Sequence, residues 1–351
     1  MKILFIIPGF NGGGAERQCL YIAQALHEKN IDVSVAFYYE GNYKFILDEC
    51  KFKKYKLTVK SFYDPRNIIE ILKLTKRIKP DIVFTWLPVI DVFYSLIKLL
   101  KPKLKWIVAE RDSAYESNFR DNLRKKIIPL NADAIIANST HGKLFWQNLD
   151  FNKSIYVISN IIKKPTSPVS QFEFSKGFIL FIGRFEEQKN IEMTYSVFRK
   201  LNSKYKIKCI MIGQGSYFNK IKEDTIKRNI SNEIRILSFQ ENISEYYINC
   251  EVFVSLSLHE GMPNTLIESV LFEKKVVVSN INEHKSILGQ NFNYYVDFDE
   301  SSNQVVDKIF EQYSRAYDFE DYRNAINYLS DFSDENISKK YIHTLNQVLK
   351  N

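Results

Sequence analysis

Short apolar runs alternate with longer amphipathic segments along most of the chain. Residues 4–7, 33–37, 82–85, 106–109, 134–137 and 155–158 are nearly continuous β-branched or aromatic runs of strand length. Such runs fit strands buried on both faces, as in a parallel sheet. Helical periodicity fills the intervals at 15–29, 65–79, 92–100, 118–130 and 140–149. The alternation stops over 159–176, where Pro165 and Pro168 interrupt an aperiodic stretch that reads as a linker. It then restarts, with strands expected near 178–182, 207–212, 234–237, 252–256 and 276–278. Helices are expected near 191–201, 217–228, 243–249 and 263–272, and the chain reads as helical after 301. The pattern predicts an α/β protein of two doubly wound, Rossmann-like domains facing each other across a cleft. Such sheets bind ligands outside the carboxyl ends of their strands.

Glycine is scarce, with 12 in the chain, yet Gly9, Gly12, Gly13 and Gly14 crowd the end of the first strand. The helix beginning at Ala15 follows directly. Flexible backbone leading into a helix N-terminus suits a phosphate, because unpaired N–H groups and a partial positive charge converge there. A tight strand-to-helix turn is the plainer explanation, but one glycine would suffice for it. The dinucleotide fingerprint is incomplete: Arg17 stands where G-x-G-x-x-G needs its third glycine, and Glu40 arrives only after Tyr38 and Tyr39.

In the second half, Gly183-Arg184 ends a strand and Lys189 lies in the first turn expected of the next helix. Two cations at a strand end suit a diphosphate whose charge grows as it leaves, although salt bridges to Glu186 or Glu187 would also satisfy them. Farther on comes Glu260-Gly261-Met262-Pro263-Asn264-Thr265-Leu266-Ile267-Glu268, with Pro263 suited to open a helix. Glu268 falls between apolar pairs, so it reads as inward-facing and in need of a donor such as a ribose hydroxyl.

Taken together, Gly13-Gly14-Ala15-Glu16-Arg17, Gly183-Arg184 with Lys189-Asn190, and the E-x7-E of Glu260 and Glu268 resemble the GT4 family of retaining glycosyltransferases over nearly the full chain. The resemblance implies the GT-B fold. Residues 1–163 would form the acceptor-side domain, joined by a closing helix at about 334–351, and 164–333 the donor domain. It implies that Arg184 and Lys189 hold the donor diphosphate, with help from Gly13 and Gly14. Glu260 would contact the donor sugar, the backbone of Gly261, Met262, Pro263, Asn264 and Thr265 would meet sugar and phosphate, and Glu268 would bind the ribose. Attack would come from the same face, with the leaving phosphate helping to take the acceptor's proton; no metal and no other cofactor is implied. The expected enzyme is a hexosyl- or N-acetylhexosaminyl-transferase, moving sugar from a nucleotide diphosphate, UDP first, to a glycan in surface polysaccharide or glycoconjugate synthesis. Glu110 and Arg111 are acceptor-side candidates, in a segment where relatives read Ser-Glu-Arg-Asn. This chain departs at Ala109 and Asp112, so no particular acetamido sugar is inferred. Asp91 is a further acceptor candidate, or else the cap of a helix beginning at Val92. The alternatives are a non-hydrolysing sugar-nucleotide epimerase, an NAD-dependent oxidoreductase and a catalytically silent sugar-nucleotide binder.

Composition removes other classes. Hydrophobic residues make up 45% and charged residues 26% of 351, an ordinary globular balance. Cys19, Cys50, Cys209 and Cys250 form no C-x-x-C pair, which suits free thiols in a reducing, cytoplasmic setting rather than a zinc site. The histidines show no metal spacing. The apolar run at 3–7 stops at Pro8-Gly9, too soon for a signal peptide, and Pro88, Asp91 and Lys98 interrupt the greasy stretch over 82–100. Net charge is +8, unevenly spread: residues 1–163 carry 26 basic and 16 acidic side chains, the remainder 23 and 25. Basic, partly aromatic stretches at 51–56, 98–105 and 120–126 predict peripheral contact with an anionic membrane, on its cytoplasmic face, and the family resemblance implies a lipid-diphosphate-linked acceptor that such docking would bring to the cleft. No nucleic-acid motif accompanies them.

Overall fold

The computed structural model describes residues 1–59, 64–111, 119–163 and 176–350. Two compact units divide the chain, one of Met1–Ile161 with Phe332–Asn351 and one of Ile162–Asp331. Residues 164–175 of the expected linker, and Asp112 beside the acceptor-side candidates, lie outside the described residues.

The first unit contains β1 (Lys2–Gly9), α1 (Gly14–Glu28), β2 (Asp32–Tyr39), α2 (Lys44–Glu49), β3 (Lys53–Lys56), α3 (Arg66–Ile78), β4 (Ile82–Trp86) and α4 (Pro88–Leu100). It continues with β5 (Lys105–Glu110), α5 (Phe119–Asn131), β6 (Ala134–Ala137), α6 (Thr140–Gln147) and β7 (Ser154–Val157). All seven strands are parallel, in the order β3-β2-β1-β4-β5-β6-β7. From β1 the chain steps toward one edge, and from β4 onward toward the other. Right-handed crossovers therefore place α1 on one face and α4 to α6 on the opposite face. On the second face Leu4, Ile6, Val83, Ile90, Tyr94, Ile97, Trp106, Ile128 and Trp146 pack into one core.

Two local expectations change. Pro88 does not interrupt a helix but opens one, so α4 begins four residues earlier than the periodicity implies. The lysine run at 53–56 is an edge strand paired in register with β2. Lys53 donates to Asp32 at 2.8 Å and Lys56 to Glu40 at 2.9 Å. Lysines on an edge strand keep it from pairing with other chains, which accounts for this run without a membrane.

The second unit repeats the plan with β8 (Phe178–Ile182), α7 (Ile191–Tyr205), β9 (Cys209–Ile212), α8 (Phe218–Lys227), β10 (Ile234–Leu237), α9 (Ser244–Asn249) and β11 (Cys250–Ser255). After these come α10 (Asn264–Leu271), β12 (Lys275–Ser279), α11 (Asn282–Leu288), β13 (Tyr295–Val296), α12 (Ser302–Ser314) and α13 (Arg323–Ser330). Its six parallel strands run β10-β9-β8-β11-β12-β13, so the order reverses between β8 and β11. That reversal is where a doubly wound sheet opens a crevice at its carboxyl edge. The last helix, α14 (Asp334–Lys350), packs on α1 and belongs to the first unit, burying Ile337, Tyr341, Leu345 and Val348.

Candidate active site

The loops leaving β8, β9 and β11 build the second unit's carboxyl edge. Gly213, just past β9, has φ +154°, and a Cβ there would sit 1.8 Å from the carbonyl oxygen of Gly183. Gly215 has φ +152°, and its Cβ would lie 2.5 Å from the carbonyl oxygen of Phe185. Only glycine allows these two loops to touch. The Gly213-Gln214-Gly215 pair is therefore a structural requirement of the site, and reading the sequence for clustered glycines had not found it. The Phe185 N–H donates to the Gln214 carbonyl at 2.8 Å, and Glu186 accepts from the Ser216 N–H at 2.9 Å and its hydroxyl at 2.6 Å. Glu186 is thus committed to the β9 loop and does not hold Arg184 or Lys189.

Lys189 ends a single tight turn, Glu187–Lys189, rather than opening α7; Asn190 is left-handed (φ 49°) and α7 starts at Ile191. The Lys189 stem crosses the open face of Gly183, 3.6 Å from where a Cβ would stand. Its ammonium donates to the Glu260 carboxylate, which also accepts from the Ser257 hydroxyl at 2.7 Å. Both ions are largely withdrawn from water. Burial alone would raise the Glu260 pKa, but the Lys189 charge and the hydrogen bonds outweigh it and hold the group below the ordinary carboxylate range. The two loops are clamped by the Leu258 N–H on the Gln188 carbonyl (2.9 Å) and by the Gln188 amide on the His259 carbonyl (3.0 Å). Arg184 stays exposed, its guanidinium directed to Gln188.

Behind the pair, the Ser279 hydroxyl donates to the Ser257 carbonyl at 2.5 Å. The His284 Nδ1–H donates to the Ser279 carbonyl at 2.8 Å, which leaves Nε2 as the unprotonated nitrogen, buried and without a partner among the described residues. Burial pushes the His284 pKa down to about 4, so the ring is neutral near pH 7. An unfolded histidine titrates near 6.5, so between about 6.5 and 4 the unfolded chain binds a proton that the folded chain refuses. This contribution is therefore complete above pH 6.5 and is lost as pH falls. Urea unfolding at pH 7 and pH 4.5 should show wild type losing about 2 kcal/mol more than His284→Gln. Equal losses would mean that His284 is not the buried neutral group described.

Glu268 lies in the second turn of α10 and accepts from the Tyr247 hydroxyl at 3.0 Å. It is half-buried rather than enclosed, and Pro263 caps α10 instead of standing inside it. Met262, Asn264 and Thr265 line the entry to that helix, and the Asn264 N–H turns back onto the Met262 carbonyl at 2.9 Å.

The first-unit candidates are arranged differently. Gly13 caps α1, and the amides of Gly12 and Gly13 donate to the Glu16 carboxylate at 2.8 and 3.0 Å. A resident carboxylate thus takes two of the amides that the phosphate reading had assigned to a ligand, so the seat expected at Gly13 and Gly14 is partly filled from within the chain. Asp91 neither caps a helix nor reaches solvent. It is fully buried in α4, accepting from Thr85 at 2.5 Å and from Arg124 at 2.7 Å, and burial raises its pKa despite both donors. Glu110 is buried too, accepting from Arg124 at 2.9 Å and from the Trp146 indole at 2.6 Å. Arg111 stacks over Trp86 at 4.3 Å and donates to Tyr341 at 2.6 Å and Asn160 at 3.2 Å. Arg124 and Trp146 thus enclose the Asp91 and Glu110 carboxylates, which are buried in this structure rather than open at the strand ends where the sequence placed them as acceptor candidates. Among the described residues, no group of three or more His, Cys, Asp or Glu side chains is placed to hold a metal ion.

Two family models match in succession: Glycosyltransferase Family 4 over residues 12–163 and Glycosyl transferases group 1 over residues 164–328. The chain belongs to the GT4-type glycosyltransferases, built on the GT-B plan of paired Rossmann-like units. It is similar to the amylovoran biosynthesis glycosyltransferase AmsD of Erwinia amylovora, at 23% identity over 98% of this chain and 99% of that one. A Campylobacter jejuni α-1,4-N-acetyl-D-galactosaminyltransferase, named for the acceptor GalNAc-α-(1→4)-GalNAc-α-(1→3)-diNAcBac-PP-undecaprenol, is 26% identical over 83% of each chain. Among solved structures, Anabaena HepE in complex with UDP and glucose superposes with a TM-score of 0.81, at 16% identity, covering 99% of this chain and 100% of that one.

Proposed function

We propose that this glycosyltransferase moves a hexosyl or N-acetylhexosaminyl group from a UDP-sugar to a lipid-diphosphate-linked glycan during surface polysaccharide assembly, with retention and without a metal. The observation that carries the reading is the Lys189–Glu260 pair at the carboxyl edge of the second sheet, with Arg184 exposed beside it. A diphosphate arriving here draws on both cations, and Lys189 then bridges phosphate and Glu260 while the carboxylate turns its free lone pairs to donor-sugar hydroxyls. Glu268, steadied by Tyr247, takes the ribose. Charge on the leaving diphosphate is met by Arg184, Lys189 and the backbone amides entering α10, which is the work a metal does elsewhere. The leaving phosphate accepts the acceptor's proton on the same face. Full-length similarity to AmsD and similarity to the undecaprenol-linked glycan transferase support the pathway and acceptor class, and HepE with UDP supports the nucleotide. Such an acceptor places the enzyme peripherally on the cytoplasmic face of the membrane.

A transfer assay with UDP-sugars and an undecaprenyl-diphosphate-linked oligosaccharide, run with excess EDTA and read by NMR at the new anomeric centre, tests this. Full turnover with retained configuration is expected. Inversion, or abolition by EDTA with rescue by Mn²⁺ or Mg²⁺, would contradict it, and stabilisation by NAD alone would return the chain to the oxidoreductase reading.

A further inference from the structure

Helix α4 buries polar side chains beside its core residues Ile90 and Ile97 and turns apolar ones outward. Its polar side chains Asp91, Tyr94, Ser95 and Lys98 are all buried, Lys98 against Asp133 at 2.6 Å and the carbonyls of Pro102 and Leu104. The outward positions are Val92, Phe93, Leu96, Leu99 and Leu100, apolar without exception. Leu96, Leu99 and Leu100 are 47, 64 and 62% exposed. A helix on the surface of a globular unit ordinarily turns polar residues outward, so a continuous apolar ridge there marks a contact surface.

Its surroundings identify the partner. Helices α3 and α5 pack on either side of α4. They expose Ile69 and Leu130 together with Lys73, Lys76, Arg77 and Lys126, while Lys101 and Lys103 stand at the end of α4. No acidic side chain of these three helices is exposed among the described residues, and Lys101 and Lys103 make no ion pair there. We infer that the outer face of α3, α4 and α5 is a docking surface for an anionic lipid bilayer, with the leucine ridge entering the acyl boundary and the flanking lysines meeting headgroups. A second copy of the chain is disfavoured, because it would bring two basic rims together. The inference rests on the proposed membrane setting for its choice of partner. It moves that contact away from the lysines of β3, which are already engaged, and onto α4.

Vesicle co-sedimentation of the full chain, without sugar nucleotide, tests it. Wild type should bind vesicles containing anionic phosphatidylglycerol, and 0.5 M NaCl should weaken that binding, since such salt shortens electrostatic reach to a few ångströms. Leu96→Ser, Leu99→Ser and Leu100→Ser together should lower partitioning at least about tenfold. Lys101→Ser with Lys103→Ser should lower it less and blunt the salt effect. Thermal stabilisation by UDP should be the same in all variants, which reports folding and donor binding separately from docking. Wild type remaining in the supernatant at low salt, or a folded leucine variant that still sediments, would overturn the inference. So would a wild-type dimer that the leucine variant abolishes while vesicles have no effect. Vesicle binding with no UDP response would instead leave this surface standing and remove the proposed donor.

Discussion

Lys189→Ala should lower kcat/KM by on the order of a hundredfold, as expected when one fixed donor to a developing oxyanion is lost. It should also destabilise the fold by about 3 kcal/mol, because Glu260 is left buried without its cation. These effects have different causes and can be separated. Lys189→Met combined with Glu260→Gln removes the uncompensated charge while keeping similar volumes, so stability should return toward wild type. Activity should not return, since the diphosphate still lacks its ammonium and the sugar its carboxylate. Recovery of turnover along with stability would show that the pair is only structural. Arg184→Ala, at an exposed side chain, should reduce kcat/KM with little change in stability.

Arg124→Met should cost about 4 kcal/mol, the largest stability loss of any single substitution considered. Arg124 is the cation between two buried carboxylates, at 2.7 Å from Asp91 and 2.9 Å from Glu110, and stacks over Trp146 at 5.0 Å. Without it both buried carboxylates lose their shared cation, and the Asp91 pKa, already raised by burial, rises further. A raised carboxylate pKa stabilises the fold below its unfolded value and loses that contribution as pH rises through the folded value. The deficit of Arg124→Met relative to wild type should therefore be smaller at pH 5 than at pH 8. Urea unfolding at both values checks this; a deficit independent of pH, or one below about 1 kcal/mol, would mean that the triad is not an electrostatic unit.

Much of the architecture was legible because parallel strands buried on both faces leave continuous apolar runs. The segments at 4–7, 82–85 and 178–182 fall inside β1, β4 and β8 with little displacement. What escaped depends on partners remote in sequence. Strand β3 has lysine at three of its four positions and exists because β2 pairs with it and Asp32 and Glu40 answer its charges. The two-residue β13 is too short to leave a periodic signal. At the site, the residue types at strand ends were readable, but their pairing was not. Lys189 reaches across 71 positions to Glu260, whereas local spacing offered Glu186 and Glu187. Asp91 and Glu110 stand near strand ends in sequence, but the cation that encloses them, Arg124 of α5, lies 33 and 14 positions away. The apolar outer face of α4 was also hidden, since its periodicity alone does not say which face meets the sheet.

The most direct test of the donor site is UDP calorimetry on wild type, Glu260→Gln and Glu268→Gln, in the presence of EDTA. Wild type should bind UDP with chelator present. Glu268→Gln should lose about tenfold in affinity through its ribose contact, which is the range for a hydrogen bond to a charged partner. Glu260→Gln should keep nearly all UDP affinity while losing transfer, because its partner is the sugar that UDP lacks. Absence of UDP binding in wild type, or equal losses in the two variants, would contradict the assignment of this edge to a nucleotide-sugar donor.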